Sequence, residues 1–128
     1  HLVLRGGKRG PNYDVEHVQQ AAKELTKLNL NPRVMIDCSH DNTQKDYTRQ
    51  PIVLQNIADQ LVAGSKHIMG VMLESHLVAG KQSIPQDLSQ LTYGQSITDA
   101  CINFQTTTTV LRDLATAVKQ KQPIAKAL

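Results

Sequence analysis

Four side chains in this sequence are of the types that metal and anion chemistry requires. His40, Glu74 and Asp99 supply one imidazole and two carboxylates, a mixed nitrogen and oxygen set that suits a divalent cation such as Mn²⁺, Fe²⁺, Co²⁺ or Zn²⁺. Arg5 carries a guanidinium that can hold a phosphate or a carboxylate through two parallel hydrogen bonds. Together these residues predict a divalent metal site next to a position for an anionic substrate.

Each of the four residues also has a structural interpretation, which the sequence leaves open. His40 can be a proton-transfer group or a hydrogen-bonded structural histidine, and Arg5 can be a solvated arginine in a loop. Glu74 can serve as an ion-pair partner, and Asp99 can serve as a helix cap.

The other histidines are poorer ligand candidates. His67 begins an apolar segment and therefore lies at the opposite end of its predicted strand from Glu74, while His76 lies past Glu74 in the following loop. No comparable set of polar residues surrounds His1 or His17.

The predicted strands place the candidate residues at one edge of a sheet. Segments 2–4, 33–37 and 67–73 have strand length and the continuous apolar character of buried parallel strands. The strand ends fall at about residues 5, 37 and 74, which are 32 and 37 residues apart, with a helical pattern in each interval. This is the spacing of repeated βαβ units. Right-handed crossovers bring the carboxyl ends of such strands to the same edge. The residues expected to converge there are Arg5, His40 and Glu74.

Helical spacing of apolar residues predicts the helices between these strands. Asp14 is the predicted N-cap of the first helix, which runs to about residue 28, and the segment Asn29–Pro32 ends it. The second helical segment spans residues 45–63. Because Pro51 lies inside it, we expect either a kink or a new helix that begins near Gln50.

The last third of the chain is less regular. Residues 78–94 show little periodicity and predict a long loop that holds a small hairpin. Thr106–Thr109 are the predicted caps of a last helix, and we expect the tail from Gln122 to Leu128 to be loosely ordered.

Composition argues against several classes of function. Hydrophobic residues make up 40% of the chain and aromatic residues only 3%, with a formal net charge of +3. A nucleic-acid surface requires a basic face with aromatic stacking partners, and no apolar run is long enough to span a bilayer. The two cysteines form no C-x-x-C pattern, so we expect reduced thiols in a cytoplasmic protein.

The chain has the length of one ordinary domain but is short for a complete (β/α)₈ barrel. With 128 residues it has about half of the roughly 250 residues of a complete (β/α)₈ barrel. It opens at His1 directly in a strand, with no pattern of a signal peptide. We therefore expect a chain that was cut within a domain.

Four motifs in order carry a family resemblance that covers nearly the whole chain. They are LRGGK at 4–8, MIDCSH at 35–40, GVMLESHL at 70–77 and YGQSITDAC at 93–101. Together they resemble the carboxyl-terminal part of class I 3-deoxy-D-arabino-heptulosonate 7-phosphate (DAHP) synthase, the first enzyme of the shikimate pathway of aromatic amino-acid biosynthesis.

The resemblance implies a TIM barrel of which residues 1–128 are a fragment, namely the last three βα units, with parallel strands that do not close. It also implies a divalent metal and the condensation of phosphoenolpyruvate with erythrose 4-phosphate, in which the metal polarises the aldehyde oxygen. By position, His40, Glu74 and Asp99 resemble three metal ligands, and Arg5 resembles an arginine that holds phosphoenolpyruvate.

The chain departs from the family pattern in what it lacks. The fourth ligand of the family is a cysteine from an early loop, which neither Cys38 nor Cys101 matches, and the other substrate-binding lysines and arginines are absent. We therefore expect the piece alone to be inactive and to form a homo-oligomer that buries its open edge. The alternative is a non-catalytic fragment or assembly module that binds at most a metal or an anion.

Overall fold

A parallel three-stranded sheet organises the first part of the molecule. The computed structural model describes residues 1–120. The sheet has the order β1-β2-β3, with all neighbours parallel. Its strands and the helices between them are β1 (Leu2–Leu4), α1 (Val15–Lys27), β2 (Val34–Asp37), α2 (Gln50–Val62) and β3 (Ile68–Met72). The predicted α/β fold with repeated βαβ units is thus confirmed for this part of the chain, and the sheet is open rather than closed into a barrel within residues 1–120.

The remaining described residues form a small second sheet and a long helix. These elements are β4 (Val78–Lys81), β5 (Gln95–Ser96) and α3 (Phe104–Gln120). Three short 3₁₀ helices lie between the main elements, at His40–Thr43, Tyr47–Arg49 and Leu88–Gln90. The predicted loose tail, from Gln122 to Leu128, lies outside the described residues. Within residues 1–120, no helix combines the length and the apolar character needed to cross a membrane.

Hydrogen bonds and backbone conformation at its two ends explain where α1 begins and where it stops. The Asp14 side chain accepts hydrogen bonds from the backbone N–H groups of Glu16 and His17, which satisfies donors that a helix start leaves free. At the other end Asn29 has a φ of +54°, and the N–H of Leu30 donates to the Leu25 carbonyl at 2.9 Å. The left-handed residue reverses the chain and ends the helix. The predicted cap and stop are both confirmed.

Three predicted element boundaries were wrong or incomplete. The second helix begins at Gln50 rather than at Lys45, so Pro51 lies in its first turn. The backbone N–H groups of a first turn have no partner within the helix, so a proline there costs no hydrogen bond. Of the two outcomes expected from the proline, a new helix start is the one observed. Two short 3₁₀ turns occupy residues 40–49 instead.

The long segment 78–94 does not fold as a hairpin, because β4 pairs in parallel with β5, which lies beyond the segment. Likewise Thr106–Thr109 do not cap α3. The helix begins at Phe104, and the Asn103 side chain accepts a hydrogen bond from the N–H of Thr106 at 2.8 Å. The hydroxyls of Thr107, Thr108 and Thr109 donate to carbonyls four residues earlier, as threonines inside a helix do.

The core lies between the helices and one face of the sheet. The side chains of Val34, Ile36 and Ile57 are fully buried there, with Val18 of α1 and Val53 of α2 nearly so. Burying such aliphatic side chains supplies the main favourable term in folding. The opposite face is not covered by these helices: Met69 and Met72 of β3 are 45% and 40% exposed.

Candidate metal centre

His40 lies immediately after β2, in a turn that fixes its ring. Asp37 is the last residue of the strand and is buried. One carboxylate oxygen of Asp37 accepts the N–H of Ser39 at 2.8 Å, and the other lies 2.7 Å from His40 Nδ1. Because a carboxylate can only accept, this contact assigns the imidazole proton to Nδ1. The lone pair of Nε2 is then free to face the sheet edge.

The backbone at His40 is in an uncommon conformation. Its φ is +45°, in the left-handed region that costs a residue with a Cβ free energy. The Thr43 hydroxyl donates to the His40 carbonyl at 3.0 Å, and the N–H of Lys45 donates to it at 3.0 Å. Strained backbone of this kind clusters at functional sites, so the conformation supports a role for the ring beyond packing.

Three side chains converge at the carboxyl edge of the sheet. His40 Nε2 lies 3.8 Å from Glu74 Oε1 and 3.4 Å from Asp99 Oδ2. One ligand atom from each residue lies within 4.8 Å of the other two. Atoms that share one cation at about 2.0–2.2 Å stand roughly 3–4 Å apart, so the spacing fits a common ion. The Asp99 side chain is 63% exposed, which leaves the cluster accessible.

The donor set also fits a metal in its chemistry. The His40 ring presents Nε2 while Asp37 accepts from Nδ1, which is the arrangement that orients histidines bound to metals. Two carboxylates next to one imidazole provide two negative charges for a divalent cation. The predicted convergence of His40 and Glu74 is thus observed, and Asp99 joins them from the loop between β5 and α3.

Arg5 lies just after β1 and contacts the turn that holds His40. Its Nη1 lies 3.4 Å from Asp41 Oδ2, next in sequence to His40, and the Arg5 side chain is 54% exposed. The backbone supports this placement, because the N–H of Asn42 donates to the Arg5 carbonyl at 3.1 Å. Arg5 therefore lies beside the His40 turn, and Asp41 is the side chain that links it to the edge.

His17, His67 and His76 have partners elsewhere. His67 Nδ1 lies 2.9 Å from the Pro32 carbonyl, at the amino end of the sheet. His17 Nδ1 contacts Asp14 at 2.6 Å, and His76 Nδ1 accepts the N–H of Leu77. In residues 1–120, the cluster with metal-ligand spacing contains none of these histidines.

Both cysteines are buried and have raised pKa values. Burial, together with the Asp37 carboxylate, raises the pKa of Cys38 to about 12. Burial also raises the pKa of Cys101, in the same direction as the nearby carboxylates of Glu74 and Asp99. In both residues the raised pKa favours the neutral thiol over the thiolate.

Sequence reasoning gave no role to several residues that build the site. Asp37 could have been found, since an acid three residues before a histidine can contact its ring within one turn. Asn42 is buried, and its side chain donates to the Leu4 and Asp37 carbonyls while accepting the N–H of Asn12. No sequence signal indicates that such an asparagine is buried.

The sequence of this chain is similar to those of known proteins. The DAHP synthetase I family model matches residues 1–112. A tyrosine-inhibited phospho-2-dehydro-3-deoxyheptonate aldolase from Schizosaccharomyces pombe is 48% identical over 98% of this chain and 35% of its own length. A Tyr-sensitive enzyme of the same name from Enterobacter agglomerans is 51% identical over 89% of this chain and 53% of its own length.

A solved structure shows the same fold. The phospho-2-dehydro-3-deoxyheptonate aldolase from Francisella tularensis superposes with a TM-score of 0.90 and 48% identity, over 96% of this chain and 35% of that one. The chain thus spans about a third of the length of the Schizosaccharomyces and Francisella proteins. The extent of the family match and these identities show that the chain belongs to the DAHP synthetase I family.

Proposed function

We propose that this chain is the carboxyl-terminal part of a DAHP synthase, which condenses phosphoenolpyruvate with erythrose 4-phosphate in the first step of the shikimate pathway. The observation that carries the proposal is the cluster of His40, Glu74 and Asp99 at the carboxyl edge of a parallel sheet. In (β/α)₈ enzymes the chemistry takes place at this edge. Family membership narrows the chemistry to that of the aldolases it resembles.

The proposal includes the place of the chain in a larger fold. Residues 1–128 would be part of one TIM-barrel domain and would contribute its last three βα units. Two observations support this. In residues 1–120 the sheet has only three strands, so β1 and β3 are its edges. One face of the sheet also leaves apolar side chains exposed, including Met69 and Met72, which further strands of a barrel would cover.

Three residues of this chain would hold the divalent cation, and a fourth would hold the anionic substrate. His40 Nε2, Glu74 and Asp99 are the proposed ligands, and a bound cation supplies Lewis-acid polarisation of a carbonyl oxygen. The Arg5 guanidinium would bind phosphoenolpyruvate through paired hydrogen bonds. The contact with Asp41 Oδ2 at 3.4 Å places that guanidinium beside the His40 turn.

The reaction then proceeds between two substrates held in fixed orientation. C3 of phosphoenolpyruvate bonds to the aldehyde carbon of erythrose 4-phosphate, whose oxygen takes up a proton. Water adds at C2, and phosphate leaves with cleavage of its C–O bond. Holding the two carbons in attack geometry is the contribution expected of Arg5 and the metal ligands.

Substitution of His40 tests the metal assignment in the full-length protein. His40→Ala is expected to abolish metal-dependent condensation, because it removes the imidazole ligand. His67→Ala is the matched control, since His67 lies at the amino end of the sheet with the Pro32 carbonyl as its partner. The measurement is the rate with both substrates across a titration of Mn²⁺. Unchanged turnover of His40→Ala at limiting metal would contradict the assignment.

Substitution of Arg5 tests the anion assignment separately. Arg5→Ala should raise the KM for phosphoenolpyruvate and leave metal affinity nearly intact. Arg5→Lys should not restore the KM, because an ammonium lacks the bidentate fork. Arg33→Ala, at the amino end of β2, is the control. A normal KM and normal turnover for Arg5→Ala would refute the role.

The second candidate function is that of a non-catalytic fragment or assembly module. The exposed apolar face of the sheet favours association of this piece when it is alone. We predict that residues 1–128, expressed separately, show no turnover and form a homo-oligomer. Size-exclusion chromatography with light scattering checks the association, and a well-behaved monomer with cooperative unfolding would refute it. The cytoplasmic location also stays a prediction.

A further inference from the structure

Gln50 is a fully buried amide next to the proposed metal centre. It is the first residue of α2 and precedes Pro51. Its relative exposure is 0%, a value it shares in the described chain with aliphatic side chains such as Ile36 and Ile57. A glutamine is rarely buried so completely unless its amide groups are hydrogen-bonded.

Both ends of the Gln50 amide are bonded to the backbone of Glu74. The N–H of Glu74 donates to Gln50 Oε1 at 2.9 Å, and Gln50 Nε2 donates to the Glu74 carbonyl at 2.9 Å. The Glu74 carbonyl also accepts the N–H of Ile102 at 3.0 Å. Glu74 lies just past the end of β3, so the side-chain amide supplies the paired hydrogen bonds that a neighbouring strand would make.

This contact fixes the backbone of a residue whose side chain makes only long contacts. The Glu74 side chain is 34% exposed, and its carboxylate oxygens lie 3.8 Å from His40 Nε2 and 3.9 Å from Cys101 Sγ. Its carboxylate can reach His40 only if the backbone of Glu74 presents it toward the edge. The two bonds from Gln50 fix both polar backbone groups of that residue, which defines the direction in which its Cβ leaves the chain.

We propose that Gln50 is a positioning residue that locks the backbone of Glu74 and thereby aims its carboxylate at the proposed metal site. The inference rests on the proposed function, because it assumes that Glu74 is a ligand. It predicts that loss of the amide weakens metal binding even though Gln50 does not itself belong to the ligand cluster.

The test uses Gln50→Met in the full-length apo-protein, since methionine keeps the length of the side chain and removes the amide. The probe is Mn²⁺ alone, titrated while the electron paramagnetic resonance signal of the free ion is followed. We expect a Kd for Mn²⁺ about 10-fold higher than that of the wild type. This is the lower end of the loss of metal affinity that removal of a supporting contact causes. Hydrogen exchange of the Glu74 amide should become faster, and saturating Mn²⁺ should restore most of the turnover.

Gln60→Met is the matched control on the same helix. Gln60 is also a buried glutamine, and its Nε2 donates to the Tyr13 carbonyl and to Asn56 Oδ1. Its removal should destabilise the fold through lost hydrogen bonds, yet it should change neither the Mn²⁺ affinity nor exchange at Glu74. The comparison therefore separates positioning from general loss of stability.

The outcomes distinguish the inference from the function on which it rests. Wild-type Mn²⁺ affinity in Gln50→Met would overturn the positioning role alone, as would equal weakening in both variants. A wild-type protein that binds no Mn²⁺ would overturn the proposed metal site and this inference together. Selective weakening in Gln50→Met, with faster exchange at Glu74, supports both.

Discussion

Replacing Gly6 with alanine should disturb the proposed site by moving the His40 turn. Gly6 follows Arg5 with a φ of +74°, and a Cβ added there would lie 2.6 Å from the backbone carbon of Asp41 and 2.7 Å from the backbone nitrogen of Asn42. Ordinary contact begins near 3.4 Å, and backbone atoms cannot rotate away as a flexible side chain can. The turn must therefore shift by most of an ångström.

Two terms set the expected loss of stability. The left-handed conformation costs an alanine about 1–2 kcal/mol. Overpacking against a backbone that must move costs roughly another 1–3 kcal/mol. Gly10→Ala is the matched control, because Gly10 has a φ of +106° but nothing within 4 Å of an added Cβ. That variant should lose only the conformational term, so the difference between the two isolates the clash.

The assay combines urea denaturation of the full-length protein with the kinetics of condensation. Gly6→Ala should unfold at lower urea than Gly10→Ala, and it should also show weaker Mn²⁺ affinity and a higher KM for phosphoenolpyruvate. A misplacement of about 1 Å in a reacting group can cost on the order of 100-fold in rate. If the two variants were equally stable and equally active, the close approach of Gly6 to the turn would have no functional consequence and the reasoning would fail.

Three further predictions concern stability. Partial burial acts to raise the pKa of Asp14, but hydrogen bonds from His17 lower it overall. The cap therefore stabilises the folded state at pH values above the unfolded pKa of about 3.9. This stabilisation is lost as the pH falls through the folded pKa. Asp14→Ala should cost about 1 kcal/mol at neutral pH, with a difference from wild type that shrinks below about pH 4 in thermal melts. Asn42→Ala should cost roughly 1–3 kcal/mol by chemical denaturation, because it leaves buried backbone groups unpaired. Ile57→Val should cost about 0.5–1.5 kcal/mol, whereas Ile52→Val, on the same helix but 59% exposed, should stay within about 0.5 kcal/mol.

The strands and their direction were predictable because apolar runs and helical spacing are local signals. The Asp14 cap and the helix start next to Pro51 were predictable for the same reason, since both depend on the chemistry of one residue. Pairing of β4 with β5 was not, because these strands lie on either side of a long irregular segment and are short. Local sequence does not encode which distant strand a chain will meet.

The site was only partly predictable, and the physical reason lies in its supporting residues. His40 and Glu74 stand at strand ends, where a parallel sheet gathers functional groups. Gln50 and Asn42 are polar residues whose burial depends on backbone partners 24 and 38 residues away. Polarity alone predicts an exposed position for both, so their contribution appears only once the chain has folded.

Buried polar side chains are concentrated around the proposed metal centre, which indicates a role in positioning its residues. In residues 1–120 all but Gln60 lie in the 37–50 connection or in β5; the set comprises Asp37, Ser39, Asn42, Thr43, Gln50, Gln60 and Ser96. Burying a polar group costs free energy unless the group is hydrogen-bonded. Asn42 and Gln50 bond backbone groups that would otherwise be left unpaired, so they contribute to stability as well as to geometry.

The directions of these contacts explain why the polar side chains lie at the strand ends. Asp37 orients the His40 ring, Asn42 ties the Leu4 carbonyl to the turn, and Gln50 grips the Glu74 backbone. Each bond restrains a different strand end, so three groups from distant parts of the chain are brought to fixed relative positions before any ligand arrives. An edge packed only by apolar side chains would be equally compact but would allow these groups to shift by fractions of an ångström. Shifts of that size change metal affinity and attack geometry.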